Sequence, residues 1–257
     1  MKHIVMFSGG VGSWAAAKRV VQKHGKEGVT LLFADTLIED EDLYRFLDEA
    51  SADIGIPITR LADGRTPWQV FEDRAFIGNS RVDPCSEELK RNLLNKWRQE
   101  NCDPADTITH FGIDWTEKHR LERVQVRHAP WKCEAPLCET PFPLKSELLA
   151  ELVASGIRPP RLYEMGFPHN NCGGFCIKAG MKAFKLLLTK MPERYAFHEA
   201  QEKRLREECG INGTILRDRR GGTIKPLTME DFRKRCEAEP TTEPEGDLAA
   251  GCGCALD

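Results

Sequence analysis

The opening thirteen residues constrain the fold more than any other stretch. His3–Phe7 (HIVMF) is a short, mostly apolar run, and Ser8-Gly9-Gly10-Val11-Gly12-Ser13 follows at once. An apolar run of this length bounded by glycine reads as a buried strand. From Ser13 to about His24, Trp14, Ala17 and Val21 share one helical face. A strand that turns through glycines into a helix is the first half of a βαβ unit, and the alternation continues. Val29–Ala34 reads as a second strand that ends at Asp35. Asp40 to about Ala52 is a helix with Leu43, Phe46, Leu47 and Ala50 on one side, and Ile56–Leu61 is a third strand. This spacing predicts an α/β chain with a parallel twisted sheet and helices on both faces.

Further along, Asp83 reads as an N-cap and Pro84 as a first helical residue. Cys85, Leu89, Leu93 and Trp97 then recur every fourth position. Thr107–Gly112 is a fourth strand and Glu117–Val126 a helix. Residues 128–144, with Pro130, Pro136, Pro141 and Pro143, read as an ordered loop. Lys145–Ala154, Lys178–Thr189, Pro192–Cys209 and Met229–Cys236 are predicted helices. Pro159–Pro160 opens a further helical turn toward Met165, and His169–Cys176 is a loop. Thr214–Arg217 and Thr223–Lys225 flank Gly221–Gly222 as a small hairpin. The expected organisation is a nucleotide-binding α/β domain over 1–145 and a helical, cysteine-containing C-terminal part over 146–237, in the same or a small second domain. A flexible acidic tail over 238–257 ends in Gly-Cys-Gly-Cys.

Charge and cysteine content narrow the function. The formal net charge is -3 over 257 residues, which excludes a generally basic, DNA-coating surface. Residues 177–225 nevertheless carry twelve Lys/Arg against six Asp/Glu. That segment either faces an anionic partner, nucleic acid among them, or is a solvated helical surface. No run reaches the ~18–20 apolar residues of a membrane span. The chain opens without an apolar segment of signal-peptide length, so a cytoplasmic location is expected. There the ten cysteines point to metal binding or thiol chemistry rather than to disulfides.

The glycine loop has a physical role. Gly9, Gly10 and Gly12 let the backbone bring its N–H groups against phosphate oxygens, a helix N-terminus adds its positive end, and Ser8 and Ser13 add hydroxyls. No lysine stands where a P-loop kinase has one, and the glycine spacing is not that of a dinucleotide fingerprint. Asp35, at the tip of the second strand, is placed to bind magnesium or to orient a ribose or phosphate; a turn or cap role is the alternative. Glu117 and Arg120 share a helical face after the fourth strand, with Arg120 suited to a phosphate or sulfonate, and Arg81 is a second candidate for phosphate.

The cysteines offer a metal or thiol site. Cys85 falls in the first turn of its helix, where free N–H groups favour a thiolate. In Cys172-Gly173-Gly174-Phe175-Cys176 the glycines allow two sulfurs to turn toward one centre. Cys85, Cys172 and Cys176, with a fourth sulfur from Cys133, Cys138 or the tail, would suit a [4Fe–4S] cluster, with zinc as the runner-up. Cys252 and Cys254, two apart in a flexible tail, would reach a metal or exchange with another thiol.

The ordered set of these pieces resembles the phosphoadenylyl-sulfate (PAPS) reductase-like branch of the N-type ATP pyrophosphatases. The pieces are Ser8–Ser13, Phe33–Thr36, Asp83-Pro84-Cys85-Ser86 with Leu89-Lys90, Phe111-Gly112-Ile113 with Glu117 and Arg120, Phe142-Pro143-Leu144, and Cys172–Cys176. The resemblance implies an adenine nucleotide alpha-hydrolase-like sheet, with ATP or a related adenine nucleotide over the first and second strands. Ser8, Gly9, Gly10, Gly12 and Ser13 would hold its phosphates. It also implies sulfur chemistry with a sulfur donor or acceptor, either adenylation of an acceptor for sulfur transfer or reduction of a sulfonucleotide. Cys252 or Cys254 would be the catalytic thiol, since some reductases of that family carry theirs on such a tail. Gly12 stands where the pyrophosphatase motif has the Asp linked to pyrophosphate and magnesium handling, which favours reduction. A nucleotide-binding sensor or assembly subunit without turnover, with a structural metal, is the alternative from a different class.

Overall fold

A computed structural model of the chain describes residues 1–240. The elements alternate from the start: β1 (Lys2–Met6), α1 (Val11–His24), β2 (Val29–Asp35), α2 (Glu41–Ile54), β3 (Ile58–Ala62) and α3 (Pro67–Asp73). A helical run follows, made of α4 (Pro84–Ser86), a π-helical segment (Glu87–Asn92) and α5 (Leu93–Asn101). Next come β4 (Thr107–Phe111), α6 (Lys118–His128), β5 (Lys132–Glu134), α7 (Lys145–Ala154) and α8 (Arg161–Glu164). The C-terminal part holds α9 (Met181–Lys190), α10 (Pro192–Glu207), β6 (Leu216–Asp218), β7 (Lys225–Leu227) and α11 (Met229–Ala238).

β1 to β5 form one parallel sheet in the order β3-β2-β1-β4-β5. The predicted fold class is the one observed. Side chains alternate across the sheet as strand geometry requires. Val5, Phe7, Leu31 and Phe33 face a core shared with α1, α2 and α7. Ile4, Met6, Leu32 and Ala34 face a second core with Leu94 of α5 and Val124 of α6. Both faces are covered, and so the central strands read as continuous apolar runs. A third core joins Trp68 and Phe71 of α3 to Phe175, to Phe184 of α9 and to Phe232 of α11. The C-terminal helices therefore share apolar packing with an element that follows β3.

The structure departs from sequence expectation in four places. β5 lies within the stretch expected to be loop, pairing Ile108–His110 with Lys132–Glu134. The sequence reading had no helix at α3, although the Thr66 hydroxyl accepts from the Gln69 N–H at 3.4 Å. Asp83 does not cap its helix through its side chain; its carboxylate instead takes Arg91 at 3.1 Å and Lys178 at 3.6 Å. The helix after it is not a plain α-helix, because the π segment widens it at Leu89 and Lys90. The predicted hairpin is present as β6 and β7, paired antiparallel. Among the described residues no helix is long and apolar enough to cross a membrane.

Candidate functional site

In a parallel sheet, ligands bind beyond the carboxyl ends of the strands, where successive connections turn to opposite sides. Here that point lies between β1 and β4. The contact there is backbone on backbone. A Cβ on Gly12 would meet the Gly112 carbonyl oxygen at 3.1 Å, and one on Gly112 would meet Gly12 C and Ser13 N at 2.9 Å. Gly112 needs to be glycine, since a side chain there would prise α1 from the tip of β4, and Gly12 leaves only a tight fit for one. Ser13 ties the loop to itself: its hydroxyl donates to the Gly10 carbonyl at 2.8 Å and accepts from the Gly10 N–H at 3.2 Å. The first helical N–H, on Val11, donates to the Tyr163 hydroxyl at 3.2 Å.

A cleft opens over this loop. Ser8, Gly10, Val11, Gly12 and Ser13 form one wall, and Leu32, Phe33 and Ala34 give it an apolar floor. Lys90, Arg120, Lys145 and His169 line it as well, so cationic side chains from three helical elements meet the N-terminus of α1. That combination is an anion site beside a surface suited to a flat apolar ring. Arg120 is buried and donates to both oxygens of Glu117, at 2.7 and 2.6 Å, and Glu117 also lines the cleft. Lys145 stands at the first position of α7, where the helix dipole disfavours a cation. Its ammonium lies 4.5 Å over the Tyr163 ring, and burial holds its pKa below the ordinary lysine value. A bound anion would offset both costs.

The cysteine loop is fastened to the glycine loop. The Asn170 side-chain amide donates to the Gly9 carbonyl at 2.8 Å, and Asn170 and Asn171 line the same cleft. Cys172, Gly173 and Gly174 have φ of 51°, 56° and 82°, three left-handed residues in succession. Glycine is required at the second and third. A Cβ on Gly173 would overlap the Arg194 guanidinium, and one on Gly174 would meet the Phe167 ring at 2.9 Å. The Cys172 N–H donates to the Glu39 carboxylate. Lys90 completes the group, its ammonium 3.7 Å from Glu39 Oε1 and 3.7 Å from Cys172 Sγ. The π segment thus delivers Lys90 to the cleft and to the thiol together. Beneath the loop, Phe175 stacks on His198 at 3.6 Å, and the Trp68 indole N–H donates to His198 Nδ1 at 2.9 Å. Burial holds the His198 pKa far below its ordinary value, so the ring is neutral.

The sequence-predicted residues separate into those the cleft gathers and those it does not. Ser8, Gly10, Gly12, Ser13, Glu117 and Arg120 line it, and Gly9 holds Asn170. Asp35 does not line it; its carboxylate accepts from the Tyr44 hydroxyl at 3.0 Å and from the Leu37 N–H at 2.8 Å, a turn role. Arg81 is exposed outside the cleft, its backbone N–H bonded to Asn79. Cys85 and Cys172 pack against the third core, whereas Cys133 and Cys138 pack against the one that holds Leu94 and Val124. Burial pushes the Cys133 thiol up to about 11 and raises Cys138 as well, so both stay protonated at neutral pH. Among the described residues no group of three or more His, Cys, Asp or Glu is arranged to hold a metal ion. Cys252 and Cys254 lie outside the described residues. In the basic segment, Lys178 pairs with Asp83, Arg194 with Asp40 at 3.6 Å, Arg204 with Glu72 at 2.6 Å and Arg220 with Asp218 at 3.2 Å. Much of its charge is answered within the chain.

Lys145, Tyr163 and Glu39 were not read as members of the site from sequence, and Lys90 and Gly112 entered only within pieces of the resemblance. Lys145 left a signal, a cation at a helix start, and Gly112 left one as a glycine at a strand tip. Tyr163 and Glu39 left none.

No protein-family model matches this chain, and no curated protein matches it. Among solved structures it is similar to the phosphate complex of phosphoadenylyl-sulfate (PAPS) reductase from Candida auris, with 12% identity and a TM-score of 0.48. The match covers 66% of this chain and 81% of that one.

Proposed function

We propose that this protein binds an adenine nucleotide in the cleft at the tips of β1 and β4 and carries out sulfur chemistry on it, as a sulfonucleotide reductase. The observation that carries this reading is the convergence of the glycine loop, Lys90, Arg120 and Lys145 over an apolar floor, with the Cys172 thiol beside Lys90. The floor suits the base. The N-terminus of α1 and the cations suit phosphate and sulfate.

Reduction is favoured over adenylation by Gly12. The carboxylate that the pyrophosphatase motif carries at this position is missing here, and a Cβ would already lie 3.1 Å from the Gly112 carbonyl oxygen. In the proposed reaction a cysteine thiolate attacks the sulfur of the nucleotide's sulfate. The S–S bond forms as the S–O bond breaks, and the nucleotide leaves as its phosphate, its new charge met by Lys90 and Arg120. A second thiol then displaces sulfite and leaves a disulfide. Cys172, whose Sγ lies 3.7 Å from the cleft-lining Lys90, is one candidate thiol; Cys252 and Cys254 are the candidates from the tail.

The test is release of sulfite from adenylyl sulfate or PAPS with a dithiol reductant, compared with Cys172→Ser and with Cys252→Ser/Cys254→Ser. Turnover by the wild type that is lost in one of the serine variants is the expected result. ATP–pyrophosphate exchange would assign adenylation instead, and tight binding without turnover would assign a sensor.

A further inference from the structure

The basic segment 177–225 answers much of its own charge, whereas α6 does not. That helix carries Lys118, Arg120, Arg123 and Arg127 against one carboxylate, Glu122. Arg120 is paired with Glu117. Among the described residues Lys118, Arg123 and Arg127 enter no ion pair, and neither does Glu122; all four are exposed. Arg120, Arg123 and Arg127 are spaced i, i+3 and i+7, so they share one ridge of the helix over about 10 Å of its axis. The ridge begins at the cleft, which Arg120 lines, and continues onto the exposed surface. Like charges one turn apart repel unless an anion lies between them.

Flat apolar surface stands at the same rim. Trp115, in the turn before α6, and Phe142 are 39% and 51% exposed, with ring centroids 5.9 Å apart. The Trp115 indole N–H donates to the Pro143 carbonyl at 3.1 Å, which fixes the ring in place. Asp114 and Glu117, on either side of Trp115 in sequence, line the cleft, and so does Lys145, three residues after Phe142. Adjacent exposed rings mark a contact surface.

We infer that this rim binds single-stranded nucleic acid, with phosphates on Arg123 and Arg127 and a base stacked against the Trp115–Phe142 pair. A cationic row beside an aromatic platform is the combination that holds such strands, since every base has a flat face and every nucleotide an anionic link. A duplex keeps its base faces stacked on one another, and an acidic polypeptide would meet the arginines but leave the rings without a partner. The inference goes beyond the adenine-nucleotide reading and does not depend on it.

Fluorescence anisotropy tests this on the full chain with a dye-labelled oligothymidylate of about twelve nucleotides, a site size within reach of one such surface. Thymine bases keep the strand from acting as an adenine nucleotide. The wild type should bind it at low salt. In Arg123→Ala/Arg127→Ala the affinity should fall about tenfold, and the slope of log affinity against log salt should shrink by about 1.4, two phosphate contacts at about 0.7 each. Trp115→Ala should also bind about tenfold more weakly but keep the wild-type slope. Absence of binding, unchanged binding in these variants, or a duplex of the same length bound as tightly as the strand would overturn the inference. Polyglutamate that competes as well as unlabelled strand would overturn it too and assign the rim to an acidic protein. The duplex and competitor arms use only the wild type, so they decide the matter if a variant does not fold. None of these arms requires a ligand in the cleft, so failure here leaves the nucleotide reading standing.

Discussion

The cleft and the histidine cluster beside α1 treat charge in opposite ways. At the carboxyl ends of the strands, Lys90, Arg120 and Lys145 converge on one cleft, and Asn170 keeps an acceptor without a partner. Beside the C-terminus of α1 the imidazoles of His3, His24 and His110 meet instead, and His110 Nδ1 too lacks a hydrogen-bond partner. His3 Nδ1 lies 2.9 Å from His110 Nε2, His3 stacks on His24 with ring centroids 4.0 Å apart, and His110 Nδ1 lies 3.9 Å from Glu134. Burial pushes the His110 pKa down to about 4 and lowers that of His3, so this end is kept neutral. Like-signed charge is concentrated where a ligand would neutralise it and suppressed where only the protein is present.

That contrast predicts effects of different size and kind. The largest should come from Gly112→Val, whose Cβ meets Gly12 C and Ser13 N at 2.9 Å. It should cost about 3 kcal/mol of stability or more and abolish nucleotide binding, as read by denaturant unfolding and calorimetry. Wild-type affinity in this variant would break the link between the β1–β4 contact and the site.

Next comes the pH dependence of the neutral end. His110 and His128 both have pKa values pushed down to about 4 by burial, against about 6.5 unfolded. The unfolded chain then binds protons that the folded chain does not. Stability should be full above pH 6.5 and fall as pH drops toward 4, by up to about 3 kcal/mol for each group. Thermal unfolding from pH 7.5 to 4.5 measures this, and a flat profile would contradict neutral buried rings at His110 and at His128, which lies 2.9 Å from Arg98.

Arg120→Ala should be smaller, weakening nucleotide binding by about tenfold to a hundredfold because it removes a cation and leaves Glu117 facing the phosphates. Glu117→Gln with Arg120→Ala should recover part of that loss. The smallest effect concerns thiol reactivity. At pH 8 a soluble alkylating reagent should label exposed Cys209 well before buried Cys133, with no change in that order when nucleotide is added.

The sequence made one end far more legible than the other. β1, the glycine loop and α1 were readable because strand, glycine and helix signals are local and consecutive. β2, α2, α7 and the β6–β7 hairpin followed from periodicity and glycine placement. β5 was hidden because a three-residue strand amid four prolines carries too little pattern to register. α3 was passed over although Thr66 and Gln69 mark its start. The regular spacing of Cys85, Leu89, Leu93 and Trp97 suggested an unbroken α-helix, and a π segment leaves no trace in such a pattern. Cys133 and Cys138, which the spacing offered as partners for Cys85 and Cys172, pack against a different core. Glu39, Tyr163 and the histidine stack exist as groups only after tertiary folding brings distant residues together.

The central claim, that an adenine nucleotide sits over the opening loop, is tested most directly by amide hydrogen exchange with and without adenosine 5′-phosphate. The account predicts that saturating nucleotide slows exchange at the backbone N–H groups of 9–13 and at 169–172, while the histidine end of the sheet is unchanged. Nucleotide that binds without protecting either loop, or that protects only residues remote from both, would contradict it.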